Sequence, residues 1–406
     1  MNAKDGGSEN HSLGWGVIVI SVSLMAIGLV AVATAGASID RPLFSSPFWT
    51  STFGRQLGFL IAGLVGLSFA VYFTEKWFES RLVQCWLPRA LLFLAVLGLL
   101  LTFVPGISDP HRGAQRWIRI PVAGGISLQP SEAAKFALVG YLACILGGLM
   151  GRPRSFLYGF FPAMLATGLC VALVGKEDFG TAVLLGSVGG VMMLVAGCRL
   201  SHLSILGVLA VSGFVFLLWI EPYRMERLQA FGKIWEDQQG LGYQPLQSLV
   251  GIASGEWTGV GLGGSIQKHG YLPDSHTDFI FSIICEEMGV LGGGLVLLLF
   301  CALMWLGLRV VWLAKNPFER LLAFGVCAVI GFQAAMNVAV VTTVAPTKGI
   351  SLPFISAGGS GTIMFCIAVG VLAGVAKRVG STCMSNSSAN EHSSGMVSSA
   401  ERALLV

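Results

Sequence analysis

Charge is what this chain has least of. Only 11% of its 406 residues are Asp, Glu, Lys or Arg, against about a quarter in a soluble domain, so a water-soluble globular fold is excluded. The formal net charge of +4 is scattered over many short segments. No basic block able to track a phosphate backbone results, which excludes nucleic acid as a partner. Metal-ligand Cys/His spacing, a Walker loop, a dinucleotide fingerprint and a nucleophile elbow are all missing. Nine cysteines occur, but Cys144, Cys170, Cys285, Cys301, Cys327 and Cys366 lie within apolar runs and none falls in an expected outer loop, so no disulfide framework is implied. No internal repeat stands out, which argues against an inverted-repeat transporter.

Apolar residues are abundant instead, at 54% with a mean hydropathy of +0.76. Spanning about 30 Å of hydrocarbon takes roughly 20 apolar residues. Such runs occur at 13–37, 56–73, 89–105, 131–150, 156–175, 180–198, 202–220, 278–308, 321–345 and 352–376. They predict an all-α polytopic membrane protein of about ten transmembrane helices. The first run follows Asp5 and Glu9 rather than a basic stretch, so it reads as a retained helix and not as a signal peptide. Many of the 54 glycines sit inside these runs, where small residues let helices approach closely. With the N-terminus inside, Lys and Arg divide roughly 12 inside to 7 in short outer loops, which places both termini in the cytoplasm. The expected plan is a cytoplasmic segment 1–12, a membrane domain 13–378 and a Ser/Asn-rich, disordered cytoplasmic tail 379–406. Two outer segments are long: 106–129, and 221–277 between the seventh and eighth runs. The second carries Trp235, Tyr243, Trp257 and Tyr271, anchors that a disordered linker lacks, and is expected to fold back on the bilayer.

Polar residues at membrane depth or at outer helix ends are the candidates for chemistry. The densest group is Asp274, His276 and Asp278 at the start of the eighth run, with Glu286 and Glu287 inside it. One reading is a capping box, Ser275 paired with Asp278. The other is function, because buried carboxylates in a membrane helix are expensive. On a helix Glu286 would lie about 80° round from Asp278 and about 12 Å deeper, with Glu287 on the opposite side. Their alternative role is interhelical hydrogen bonding. Arg116 beside Trp117 either anchors phosphate or marks the interface. Lys135, one turn into the fourth run, either snorkels outward or pairs with Glu132. Asp178 reads as a helix cap in a tight turn, and 346–361 breaks an apolar stretch with Lys348 and a polar, glycine-rich turn. Broken backbone at that depth is tolerated where it lines a cavity.

Taken in order, Gly-Ala-Gln-Arg-Trp (113–117), Gln-Pro-Ser-Glu (129–132), Asp-Phe-Gly-Thr (178–181), Tyr-Gln (243–244), Leu-Pro-Asp-Ser-His-Thr-Asp-Phe (272–279), Glu-Glu-Met-Gly (286–289) and Pro-Thr-Lys-Gly to Gly-Gly-Ser (346–360) resemble the SEDS family of bacterial shape, elongation, division and sporulation proteins. Gly255-Glu256-Trp257, Gly261-Leu-Gly263 with Ser265-Ile-Gln267-Lys268, and Pro346-Thr-Lys348 look most like its FtsW division branch. Glu177, Ala357 and Gly361 depart from the family pattern. The resemblance implies a peptidoglycan glycosyltransferase of the bacterial cytoplasmic membrane that polymerises lipid II and releases undecaprenyl diphosphate, acting at the division septum. A lipid II flippase is the alternative. It also implies Asp278 as catalytic base and Arg116, Lys135 and Lys348 as diphosphate ligands. Glu221, Gln244, Glu256 and Lys268 would shape the acceptor groove, and His276 and Ser356 are further substrate-binding candidates. No particular cofactor is implied, and a divalent cation (Mg2+ or Mn2+) is left open. The implied partners are undecaprenyl-linked glycan, a class B penicillin-binding protein and other divisome membrane proteins.

Overall fold

The computed structural model describes residues 3–36, 51–106, 108–111, 114–119, 127–148, 153–220, 225–226, 231 and 234–379. Glu221 and the tail 380–406 lie outside the described residues. The helices are α1 (Ala3–Gly36), α2 (Thr52–Trp77), α3 (Arg81–Leu101), α4 (Pro130–Gly147), α5 (Phe161–Gly175), α6 (Phe179–Val195) and α7 (Leu200–Ile220). They are followed by α8 (Tyr243–Ser254), α9 (Ile280–Leu313), α10 (Pro317–Val341) and α11 (Ser360–Val379). Helix dominates because a chain in hydrocarbon must pair every backbone N–H and C=O internally.

Seven of these helices are long and apolar enough to cross a membrane, and the chain is a multi-pass membrane protein. The other three expected spans are helical but miss that measure. The α4 helix has 18 residues and carries Glu132 and Lys135, α6 has only 17, and α7 is counted as a shorter apolar helix over Leu200–Gly213. The first helix starts at Ala3, ahead of the run expected from residue 13.

Packing is close where glycines allow it. A Cβ at Gly28 would stand 2.5 Å from the Ile355 Cα, and one at Gly370 would stand 2.5 Å from the Leu67 carbonyl oxygen, so α1 meets the 351–356 segment and α11 meets α2 backbone to backbone. In the bundle α4 packs on α3 and α10, α5 on α6, and α9 on α1 and α10.

Two features were absent from the sequence reading. The first long loop folds as a three-stranded antiparallel sheet, β1 (Ser108–His111), β2 (Ala114–Arg119) and β3 (Ser127–Leu128), with Ile118 opposite both Ser108 and Leu128. The all-α class therefore carries one small sheet. The second is a break in α9 at Gly289, with φ 66° and ψ −168°. Only glycine adopts this without strain, and a Cβ there would lie 2.3 Å from the Trp257 carbonyl oxygen. The long loop fills the break: Val260 and Gly261 N–H donate to the Glu286 and Glu287 carbonyls, while Val290 and Leu291 N–H donate to the Glu256 and Trp257 carbonyls. A helix interrupted inside an apolar run leaves carbonyls and amides that only another backbone can satisfy at that density. The loop is stitched into the helix as well as lying over it.

Candidate active site

The site forms at the end of the bundle where α6, α9 and α11 begin. Residues 274–279 make a turn around Asp274, which has φ 57°. Its carbonyl accepts from the N–H groups of Thr277, Asp278 and Phe279. The helix α9 then starts at Ile280 with Phe279 as N-cap and no side-chain cap. The capping-box reading is thereby corrected: the turn ends before the helix begins, and neither Ser275 nor Asp278 caps it. Asp278 is half-buried.

The second element is the hairpin 342–359 between α10 and α11. A Cβ on Gly349 would stand 3.1 Å from Asp278 Oδ2, so the carboxylate rests against this glycine, one residue from Lys348. Three contacts lock hairpin and turn together. Ser356 Oγ donates to the Thr277 carbonyl (2.6 Å), Ala357 N–H donates to the His276 carbonyl (3.1 Å), and Asn337 Nδ2 donates to both the Asp278 carbonyl (2.8 Å) and the Ile350 carbonyl (2.7 Å). Gln333, one turn before Asn337 on α10, donates to the Ser351 carbonyl (2.9 Å), and Gln56 of α2 donates to the Ser356 carbonyl (3.3 Å).

The third element is the start of α6. Asp178 caps it as the sequence predicts, accepting from Thr181 N–H (3.0 Å) and Thr181 Oγ1 (2.9 Å). The same carboxylate faces Arg116 of β2, with Nη1 at 3.8 Å. Lys348 lies with Nζ 4.6 Å from the centroid of the Phe179 ring. Burial holds the Lys348 ammonium below the ordinary lysine pKa, and the negative charge of Asp178 opposes that shift. Arg116 keeps 34% of its side chain exposed, and its buried Nε–H has no acceptor. Asp178 thus pairs with Arg116 and acts electrostatically on Lys348, and Asp278 is a second, half-buried carboxylate. Chemically, a half-buried carboxylate and two cations are groups that can accept a proton and bind an anion.

Other sequence candidates fall elsewhere. Lys135 is 1% exposed, and its ammonium is taken by Glu132 (2.9 Å) and Gln333 Oε1 (2.6 Å), above the Phe365 ring. The pairing alternative is the one realised, and Lys135 supports the hairpin through Gln333 rather than facing the opening. Lys268, whose side chain is 4% exposed, points into the bundle toward Glu287 (3.5 Å) and the Thr34 carbonyl (3.1 Å). Its ammonium also donates to the Gly263 carbonyl of its own loop (2.7 Å). Ser356, 2% exposed, uses its hydroxyl on Thr277 and on Leu352 N–H, so it pins the turn. Glu256 is exposed with φ 45°, and Gln244 is half-buried in the first turn of α8. Glu286 accepts from Ser265 Oγ and from the N–H groups of Ile266 (2.9 Å) and Gln267 (3.5 Å). The two membrane carboxylates therefore clamp the long loop and make no interhelical pair.

Sequence reasoning missed Asn337, Gln333 and Gln56. The signal was present: two amides one helical turn apart inside the apolar run 321–345, where an unpaired polar group is costly.

A family model described as a cell cycle protein, covering FtsW, RodA and SpoVE, matches residues 15–380. The chain is 37% identical over 364 residues to a probable peptidoglycan glycosyltransferase FtsW of Geobacter sp. (strain M18), which spans 89% of this chain and 96% of that one. It is 37% identical over 366 residues to stage V sporulation protein E of Bacillus subtilis, with the same coverages of 89% and 96%. Among solved structures, one described as the structural coordination of polymerization and crosslinking by a peptidoglycan synthase complex aligns with a TM-score of 0.69 and 25% identity over 90% of this chain and 98% of that one. The crystal structure of the rod shape determining protein RodA of Thermus thermophilus aligns with a TM-score of 0.62 and 24% identity over 89% and 96%, a likeness of fold.

Proposed function

The chain belongs to the FtsW, RodA and SpoVE family of cell cycle proteins, and from that premise we propose that it is a peptidoglycan glycosyltransferase. It polymerises lipid II into β-1,4 glycan strands and releases undecaprenyl diphosphate at the outer face of the bacterial cytoplasmic membrane. Its place is the division septum, and both termini are cytoplasmic. The observation that carries the reading is the contact of the Asp278 carboxylate with Gly349, which sets a base one residue from the half-buried cation Lys348.

The chemistry follows from that pairing. A sugar hydroxyl of the acceptor attacks the anomeric carbon of the donor and must lose its proton as the new bond forms. Asp278 takes that proton as general base. On the other face of the carbon, the bond to undecaprenyl diphosphate breaks and negative charge builds on the departing oxygen. Lys348 and Arg116 offset that charge from half-buried positions, where a fixed cation acts more strongly than in solution. Asp178 pairs with Arg116 and favours the charged form of Lys348 until the diphosphate arrives. One base and one inversion at carbon convert an α-linked diphosphate into a β-linked glycan. A divalent cation, Mg2+ or Mn2+, would arrive with the diphosphate as part of the substrate. Among the described residues no group of three His, Cys, Asp or Glu side chains converges as a resident metal site.

The flippase alternative asks for polar groups available through the depth of the membrane. Lys135, Glu286 and Glu287 are instead engaged with Glu132, Gln333, Ser265 and Lys268. The proposed partner is a class B penicillin-binding protein, with other divisome membrane proteins beside it, so that polymerisation is coupled to crosslinking.

The test is glycan synthesis from lipid II by the purified protein, alone and with its transpeptidase. Asp278→Asn keeps the shape of the side chain but cannot take a proton, and the rate should fall by about 10²- to 10⁴-fold with folding intact. Normal chain formation by this variant would overturn Asp278 as the base. A wild type that binds lipid II yet makes no glycan even with the partner would overturn the polymerase.

A further inference from the structure

Asn337 is fully buried on α10, and its amide makes two bonds with one nitrogen. One proton goes to the carbonyl of Asp278, the other to the carbonyl of Ile350, two residues beyond Lys348. Its Oδ1 is buried without a hydrogen-bond partner. An amide kept at a fully buried point with one end unsatisfied is a poor packing residue, since leucine would fill similar space without an orphan acceptor. What leucine cannot do is donate to both loops at once. The two loops come from distant parts of the chain, and each brings one of the groups that the reaction needs on opposite sides of the sugar carbon. Gly349 completes the fit: it lies between Lys348 and Ile350, and the Asp278 carboxylate lies where a Cβ would crowd it at 3.1 Å.

We propose that Asn337 is a positioning residue of the transfer, setting the separation of the Asp278 carboxylate from Lys348 through its paired bonds, with Gly349 as the surface against which that carboxylate is held. The inference rests on the polymerase reading above. Asn337 touches neither base nor cation through its side chain, so it acts on geometry and leaves the chemical groups unchanged. Misplacement of a catalytic group by about 1 Å costs about a hundredfold in rate, whereas a diphosphate contact to a flexible lysine tolerates such a shift.

The experiment measures kcat and KM for glycan formation, together with lipid II affinity, for wild type, Asn337→Leu and Gly349→Ala, each with its class B partner. Melting temperature and size-exclusion profile report folding. Asn337→Leu should lower kcat about 30- to 100-fold while lipid II affinity changes by less than about threefold. Gly349→Ala removes neither of the Asn337 hydrogen bonds and displaces the carboxylate by a few tenths of an ångström. It should lower kcat about tenfold with wild-type melting. A folded Asn337→Leu at the wild-type rate overturns the proposal, as does loss of affinity and rate in parallel. If Asn337→Leu does not fold, Gly349→Ala decides, and a wild-type kcat there overturns it. Failure of the wild type itself to polymerise would fall on the function and not on Asn337.

Discussion

Two sets of charges in this chain are satisfied in different ways. In one, Arg116 pairs with Asp178 and keeps a third of its side chain exposed, while Lys348 is half-buried over the Phe179 ring and feels the Asp178 charge. In the other, Lys135 and Lys268 have side chains 1% and 4% exposed and are taken up by Glu132, Gln333 and Glu287. In a charge-poor membrane protein all four lysines and arginines look like candidates for an anionic substrate. The difference lies in who satisfies them. A deeply buried cation has met its partner inside the fold, because an unpaired one would shed its proton or unfold the site. A cation that keeps part of its side chain exposed, as Arg116 does, keeps capacity for a ligand. Lys135 and Lys268 are taken up inside the fold, and Arg116 and Lys348 are the two cations proposed to meet the diphosphate.

The comparison breaks most visibly at the clamp. Glu286→Ala leaves Ser265 Oγ and the N–H groups of Ile266 and Gln267 without their acceptor, and should destabilise the protein by about 3–5 kcal/mol, read as a lowered melting temperature in detergent. A Glu286→Ala protein that melts like wild type would make the clamp dispensable. Next comes the cation contrast. Lys348→Ala should slow glycan formation by about 10²- to 10³-fold, or about 2–4 kcal/mol of barrier, with a smaller loss of lipid II affinity. Lys135→Met should act mainly through stability. Equal losses of affinity and rate in Lys348→Ala would demote that lysine to ground-state binding. The smallest effect is in the pH profile. Burial lowers the Lys348 pKa and Asp178 raises it, so Asp178→Asn removes the raising influence. Lys348 then loses its proton at lower pH, and the alkaline fall in rate should move toward neutrality. An unmoved alkaline limb would show that Lys348 does not govern it. The amide can still accept from Thr181 N–H, so the cap on α6 is kept.

Much of this was legible in the residues. The apolar runs place nearly every long helix, because a membrane span requires an uninterrupted apolar length whatever it packs against. The order of the motifs points to the family, and Asp178 as a cap follows from local spacing alone. Less local matters went differently. Ser275 and Asp278 have capping-box spacing, yet the turn held by the Asp274 carbonyl delays the helix to Ile280. Ser356, Lys135 and Lys268 carry the right chemistry for a substrate site but spend it on partners inside the protein, Thr277 and Leu352, Glu132 and Gln333, and Glu287.

Composition and periodicity by themselves determined that this chain lives in a membrane, where its helices run and which few polar motifs it has to work with, since all of these depend on neighbours in sequence. Only the tertiary structure decided which charges are used up. Gln333 and Asn337 reach loops 18 and 13 residues away, and Asn337 also reaches Asp278, 59 residues away. The break at Gly289 is filled by backbone some thirty residues earlier, Val290 bonding to Glu256 and Leu291 to Trp257. Whether a polar group is satisfied depends on what stands within about 3 Å of it, and in a bundle of helices that neighbour comes from another part of the chain.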